Sequence, residues 1–434
     1  MFSLKKKSFH SFVKDSFDSI FNKRSAWIIF SSFTRIIILI AVNKIMTKQL
    51  DFQNLSSYYL VISIYNFFGS IIIGPFGEYI NKIFFKVNSK HSISFFLESY
   101  YKKLFLPVAA SALIILIITI YYYFGITNNY FIEIPILISL MLIFRGIFDQ
   151  NISFINALGH YKWYSILITF NALFYFGFSY LLTDYLRPTY FIWTAGFILS
   201  NIIFSTITIY FFRTKAINNK SVRKFLFNSK LLKFVPSLLI TNLLVWFLTD
   251  GFRFFSEFKF GLKQSGVLLL GFALASQIFS IMSNFILPIF SPNLLKGYSE
   301  KTKVNRYLSI KNYFIKIIPF LMLTLFLALI FSKLIISALV DSSKISKNLL
   351  IIFIIGLLVE FLRSLINVIK NYKLSESKLI YQVYSLTFPV SLLMASYFLN
   401  IESIVTFALY VLVIYFVYFS LSVLFFLRLK KTVH

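Results

Sequence analysis

Long apolar runs alternate with short polar connections along the chain. An α-helix needs about 20 apolar residues to cross about 30 Å of hydrocarbon, and twelve of the runs reach that length. We therefore predict an all-α polytopic membrane protein with twelve transmembrane helices, because no connection is long enough for a soluble domain. The predicted spans are 27–46, 57–83, 104–124, 132–155, 163–183, 189–212, 234–255, 265–289, 313–339, 349–370, 379–398 and 403–427.

The stretch before the first span, residues 1–24, is basic and polar and lacks the small-residue cleavage site of a signal peptide. Its apolar residues, such as Phe9, Val13 and Phe17, recur at helical spacing between Lys and Asp residues. This pattern predicts an amphipathic helix on the cytoplasmic membrane surface. A frayed tail is the alternative.

The chain carries 43 Lys and Arg against 15 Asp and Glu, and the basic residues follow the connections between spans. With a cytoplasmic N-terminus, 31 of the 43 fall on the inside and 8 on the outside, the latter including Lys44 and Lys344. Because Lys and Arg enrichment marks cytoplasmic loops, we predict both termini in the cytoplasm. Topology then explains the basic charge, and we predict no nucleic-acid partner.

Two segments match at an offset of 211 residues, which indicates an internal duplication. Ile155–Lys162 and Ile366–Lys373 share Ile, Asn, Tyr and Lys at equivalent positions. The same offset superposes spans one to six on spans seven to twelve, so the halves are parallel repeats, which typically hold a substrate path between them. We predict an N-lobe at 25–212, a basic cytoplasmic linker at 213–233 and a C-lobe at 234–434.

Composition narrows the function classes further. The chain is 58% hydrophobic and 13% charged, whereas soluble proteins average about 45–50% and 25%. It contains no Cys, which excludes disulfides, thiolate metal sites and cysteine nucleophiles. No P-loop, nucleophile elbow or metal-ligand spacing occurs. We predict that the protein is not an enzyme and has no cofactor or metal.

The basic residues well inside the spans are all Arg, although Lys outnumbers Arg in this chain. Charged residues are costly in lipid and usually face a cavity, and the guanidinium fork binds phosphate or carboxylate through two hydrogen bonds. The candidate residues for binding an anionic substrate are Arg35, Arg145, Arg253 and Arg363. Arg35 is the strongest candidate because no acid lies near it on its own helix.

Three acids, Asp149, Asp250 and Glu360, lie three or four residues from an intramembrane Arg. A carboxyl group in a low-dielectric site can exchange a proton as access alternates, so these residues are candidates for coupling to an H⁺ or Na⁺ gradient. Ion pairing with the neighbouring Arg on the same helix face is the alternative.

The region around the first two spans carries a family resemblance. Leu50–Phe52 leads into Tyr58–Leu60, and Gly74–Gly77 leads to a basic inner end at Lys82. With its helix count and two lobes, the chain resembles the O-antigen type of polysaccharide flippase in the multidrug/oligosaccharidyl-lipid/polysaccharide exporter superfamily. It departs from the pattern at Asn54–Ser57, where the family has a small Gly, and at Lys82, where the family has Arg.

The resemblance implies a MATE-like fold and a flippase of the bacterial cytoplasmic membrane. The implied substrate is an undecaprenyl-diphosphate-linked oligosaccharide for O-antigen, capsule or exopolysaccharide, moved to the outer leaflet by alternating access. Implied partners are this lipid-linked glycan, membrane lipids, and glycan polymerase and chain-length proteins.

Three alternatives remain. A drug or ion antiporter of the same superfamily would favour an acidic lumen. A membrane glycan polymerase or transferase usually needs larger outer loops. A lipid II flippase usually has two further C-terminal helices.

Overall fold

A computed structural model describes residues 23–75, 114, 133–213, 229–299, 303–375 and 380–431. Three predicted features lie wholly or mostly outside the described residues. They are the amphipathic segment 1–24, the span at 104–124 and the central part of the linker 213–233.

The described residues form α-helices joined by short connections, with no β-strand among them. Most helices match a predicted span to within a few residues at the described ends. The helices are α1 Lys23–Gln49, α2 Phe52–Phe68, α3 Glu133–Ala157, α4 Tyr161–Tyr185, α5 Tyr190–Arg213, α6 Ser229–Trp246, α7 Phe252–Ser299, α8 Lys303–Ile330, α9 Ser332–Leu339, α10 Lys347–Ser375, α11 Ile380–Ala395 and α12 Ile404–Lys431.

Helix α7 contains the end of one predicted span and the whole of the next. Gly261 interrupts it with φ of 73° and ψ of 167°, a conformation that glycine adopts without the steric penalty of a Cβ atom. The rings of Phe252 and Phe272, on either side of the break, lie 5.1 Å apart. A straight helix would separate them by about 30 Å, so the chain reverses direction at Gly261. The predicted spans 234–255 and 265–289 are therefore the helices before and after this turn.

Two helices include a wider, π-helical turn. Helix α2 continues through the π-helix Gly69–Ile73, and α6 continues through Phe247–Gly251 before α7 begins. Such turns often occur at functional sites. The first of these turns packs on α6, where the side chain of Asn242 donates a hydrogen bond to the Ser70 carbonyl (3.3 Å).

Eight helices in the described part of the chain are long and apolar enough to cross a membrane, counting the reversed segment Leu238–Ser283 once. The predicted span 313–339 ends earlier, because Phe331 leaves the helical conformation and separates α8 from α9. Helix α9 is thus a short helix at the end of its span. The structure is that of a polytopic membrane protein.

The two halves pack in parallel ways. Helix α1 packs on α4 in the first half, as α6 packs on α11 in the second. Helix α3 packs on α5, as α10 packs on α12. The predicted offset of 211 residues relates the two members of each comparison, so the packing is compatible with the duplication, which stays a prediction.

The halves meet along α1, α2, α6 and α7. We call the outer side the one that holds the connections 186–189, 340–346 and 396–403, following the orientation predicted from Lys and Arg. The outer halves of α1 and α2 share one apolar core with the second half, whereas Val61 of α2 belongs to the core of α3, α4 and α5. The lobes are therefore joined most closely at the outer side.

Close helix packing inside the N-lobe depends on Gly196. A Cβ atom at this position of α5 would lie 2.4 Å from the backbone nitrogen of Ser179 on α4. We expect Gly196→Ala to destabilise the protein by about 1–3 kcal/mol, because backbone must move to admit the methyl group. Gly177→Ala is the control, since a Cβ atom there meets nothing within 4 Å. Thermal unfolding of both variants in detergent checks this expectation, and equal midpoints would contradict it.

Candidate functional site

A cavity of about 510 Å³ is lined mostly by helices of the N-lobe, and we call it the N-lobe cavity. Its wall runs from Tyr164, near the inner end of α4, to Val42 in the outer half of α1. Helices α1, α3, α4 and α5 line most of it, and the second part of α7 closes one side. The cavity thus occupies the middle and the inner half of the membrane.

Arg145 lies on this wall in an ion pair with its neighbour. Its Nε donates to Asp149 Oδ2 at 2.7 Å, as the spacing of four residues on α3 predicts. Its Nη1 lies 3.5 Å from Asn201 Oδ1, and its Cζ lies 5.4 Å from the ring centre of Phe197. The Asp149 side chain remains 49% exposed, so the carboxylate is accessible from the cavity.

Arg35 is the second guanidinium on the wall, and its charge is within interaction range of Tyr164, Arg145 and Asp149. Within the described part of the chain, its side chain forms no ion pair or hydrogen bond. An arginine that is not neutralised inside a membrane protein is available to a ligand.

The wall is polar on one side. Arg35, Arg145 and Asp149 give the described lining a formal charge of +1, and all three come from the N-lobe. The C-lobe contributes Gln277, Ser280 and Ile281, none of which is charged. The cavity can therefore hold an anionic group against the N-lobe, with carbonyl and hydroxyl groups alongside.

The outer end of the cavity is closed by an amide pair. Asn43 Nδ2 donates to Gln277 Oε1 at 2.6 Å, and Gln277 Nε2 donates to Asn43 Oδ1 at 3.1 Å. Asn43 is completely buried. Further out, the hydroxyl groups of Ser56 and Ser265 lie 3.2 Å apart. These contacts join the two halves of the described chain at the outer side.

The other predicted charged residues form a separate buried cluster. Arg363 Nη2 lies 2.9 Å from Glu360 Oε2, and Arg253 Nη1 lies 3.3 Å from Asp250 Oδ1. Arg253 also donates to Ser63 Oγ on α2 at 2.9 Å. These four residues do not line the N-lobe cavity.

Arg253 joins two helices within the cluster. It connects α7 to α2 across the lobe boundary, where Asn66 Nδ2 also approaches Asp250 Oδ1 at 3.3 Å. Snorkelling toward the outer surface was an option for Arg253, but the contacts hold its guanidinium inside the protein instead. Each acid of the cluster is matched by one arginine, so no net charge is left for a ligand.

The predicted site residues thus divide into two groups. Arg35, Arg145 and Asp149 are together on one cavity wall, whereas Arg253, Arg363, Asp250 and Glu360 are not there. All three ion pairs anticipated from helix spacing are formed. Their roles in binding and coupling stay predictions.

Sequence reasoning missed the uncharged polar wall. Asn171, Gln277 and Tyr164 line the cavity but carry no charge, so a search for intramembrane charges passes over them. An Asn or Gln inside a long apolar run is nevertheless a usable signal, because such amides need hydrogen-bond partners in the membrane.

No protein-family model matches the sequence, and no curated protein matches it significantly. Solved structures do match, over nearly the whole chain. Superposition on a Vibrio cholerae MATE transporter covers 98% of each of the two chains, with a TM-score of 0.62 and 10% sequence identity. The protein has the MATE fold.

Two further structures agree on the fold. An outward-facing multidrug resistance MATE family transporter of the MOP superfamily matches with a TM-score of 0.59 at 11% identity, covering 96% of this chain and 97% of its own. A MOP superfamily transporter from Pyrococcus furiosus matches with a TM-score of 0.57 at the same identity and coverage. These likenesses confirm the predicted MATE-like, all-helical membrane architecture.

Proposed function

We propose that this protein is an exporter that moves a polyprenyl-diphosphate-linked oligosaccharide from the inner to the outer leaflet of the bacterial cytoplasmic membrane. The observation that carries the proposal is the cationic N-lobe cavity, on whose wall Arg35 forms no ion pair or hydrogen bond with a described residue. The two lobes transport the substrate by alternating access, the mechanism typical of parallel repeats with a substrate path between them.

The chemistry of the wall fits such a substrate. Guanidinium groups recognise a diphosphate through paired, charge-assisted hydrogen bonds. Arg35 and Arg145 place two guanidinium groups on one wall of the cavity. Asn171, Asn156 and Tyr164 add amide and phenol groups of the kind that pair with sugar hydroxyls. The lipid tail would stay in the bilayer, where no polar wall is needed.

A fold neighbour offers a precedent for a changed pocket. The Pyrococcus furiosus transporter is described as having a binding pocket of reverse polarity that suggests a different function. A cationic cavity on a MATE fold supports an anionic substrate in the present chain by the same logic.

A drug or ion antiporter is the second candidate, and the fold neighbours favour it. Two of the matching structures are of a multidrug resistance MATE family transporter. A cationic drug would be repelled by the formal charge of +1 on the described cavity wall, whereas an anionic substrate would be attracted. We therefore place the glycolipid first.

Coupling to an H⁺ or Na⁺ gradient is assigned to Asp149 in this proposal. Of the three acids predicted for this role, it is the one on the cavity wall. Asp250 and Glu360 lie in the separate cluster and are mostly buried. Glycan polymerase and chain-length proteins remain the proposed partners.

Deletion of the gene tests the proposal. We expect the surface glycan to be lost and lipid-linked repeat units to accumulate on the inner leaflet, measured with an impermeant glycan-labelling reagent before and after lysis. Single repeat units that still reach the surface would indicate a polymerase instead. Unchanged glycan with altered drug sensitivity would favour the antiporter.

A further inference from the structure

Two lysines bind the lobes together at the outer side. Lys44 of α1 donates from Nζ to the carbonyl oxygens of Ser337 (2.8 Å) and Val340 (2.6 Å), at the end of α9. Lys344 follows α9 and donates in return to the carbonyl of Thr47, in the last turn of α1. Each lysine thus binds the carboxyl end of a helix in the other lobe.

The chemistry of helix ends explains the arrangement. The last four carbonyl groups of a helix have no partner within it, and they carry the negative end of the helix dipole. A lysine at this position satisfies the carbonyls and stabilises the helix end. Here the lysine comes from the opposite lobe, so the stabilisation exists only while the two lobes touch.

Asp341 completes the contact. Its backbone N–H donates to Thr47 Oγ1 at 3.0 Å. Its carboxylate accepts from the Ser343 side chain and backbone, at 2.6 and 3.1 Å, and these bonds hold the pKa of Asp341 below its ordinary value. The carboxylate therefore stays charged between the two lysines and attracts both.

We propose that Lys44 and Lys344 form a reciprocal latch that holds the outer side of the protein closed and is released when the cavity opens outward. The latch lies outside the Asn43–Gln277 amide pair. It also accounts for two of the eight basic residues on the side where Lys and Arg are scarce. Because a helix end and a lysine re-solvate at the surface, the contact is reversible.

The latch proposal depends on the alternating access that the proposed function includes, but it does not depend on which substrate is transported. Its test therefore measures opening of the outer side rather than transport of a substrate. A failed latch test leaves the glycolipid proposal intact, and a failed glycan test leaves the latch intact.

The absence of native Cys makes opening measurable with one introduced thiol. Ser56→Cys changes one atom at a fully buried position of α2, beneath the latch. In intact cells, its labelling by a membrane-impermeant thiol reagent such as a charged methanethiosulfonate reports exposure to the outside. We expect Lys44→Gln and Lys344→Gln each to raise the labelling rate at least fivefold.

Three comparisons separate the latch from nonspecific effects. Lys48→Gln is the matched control, because Lys48 is exposed on the same end of α1 and forms no hydrogen bond with described residues. It should leave the rate unchanged. Lys44→Arg keeps donors for the carbonyls and should restore slow labelling. A reporter at Ser385→Cys, buried within the C-lobe helix α11, should stay unlabelled in every background.

The proposal is overturned by any of three results. One is an unchanged rate in Lys44→Gln and Lys344→Gln. Another is an equal increase in Lys48→Gln. The third is an equal increase at Ser385→Cys, which would mean that the lysines hold the whole fold together rather than the outer side alone.

Discussion

Arg35→Gln is expected to reduce transport of the lipid-linked glycan by about 10–100-fold while the protein still inserts at normal levels. Glutamine keeps a hydrogen-bond donor on the cavity wall but removes the positive charge that pairs with the diphosphate. Hydrogen bonds to charged groups contribute about 1.5–3 kcal/mol each, and about 1.4 kcal/mol corresponds to a factor of ten. Arg35→Lys should give an intermediate rate, because an ammonium cannot form the paired contact of a guanidinium.

Arg187→Gln is the matched control for Arg35→Gln. Arg187 lies exposed in the connection between α4 and α5, so its loss removes the same charge from the chain but not from the cavity. Transport is measured as surface glycan restored to a deletion strain, normalised to the amount of protein in the membrane. Full restoration by Arg35→Gln would disprove the role of Arg35 in binding.

A disulfide across the outer side is expected to abolish transport. The hydroxyl oxygens of Ser56 on α2 and Ser265 on α7 lie 3.2 Å apart across the lobe boundary. In the doubly substituted Ser56→Cys/Ser265→Cys protein, oxidation can therefore join the two sulfur atoms, which bond at about 2.0 Å. The linked lobes cannot separate at the outer side, so we expect loss of more than nine-tenths of the transport activity.

The loss should be reversible, which distinguishes locking from damage. A thiol reductant should return transport to the level of the unoxidised protein, and each single Cys variant should be insensitive to the oxidant. The extent of cross-linking is read from gel mobility after a protease site is placed in the linker. Complete cross-linking with undiminished transport would show that the outer ends of α2 and α7 need not part during the cycle.

The charged residues show what helix periodicity can predict and what it cannot. The spacings from Arg145 to Asp149, from Asp250 to Arg253 and from Glu360 to Arg363 place each pair on one helix face, and all three ion pairs are formed. Periodicity says nothing about what packs against that face. Helix α10 is covered by α7, α8 and α12, so Glu360 is buried, whereas the face of α3 that carries Asp149 is left open to the cavity.

The cavity and the outer latch required the tertiary structure for a similar reason. Gln277 reaches Asn43 from 234 residues away along the chain, and Lys44 reaches Val340 from 296 residues away. No local pattern specifies such a pairing, because it depends on how two helix bundles, each folded from its own half, are placed side by side.

The sequence by itself determined that the chain crosses a membrane many times and where most helices begin and end. These features follow from the length of each apolar segment and from the distribution of Lys and Arg between segments, and both act on each segment locally. Only the tertiary structure decided that Arg35 and Arg145 share one wall, that Arg253 and Arg363 belong to a separate cluster, and that the two halves are in contact at the outer side. Those outcomes depend on packing between distant helices, where a rotation of about 100° per residue decides whether a side chain faces a cavity, a neighbour or lipid.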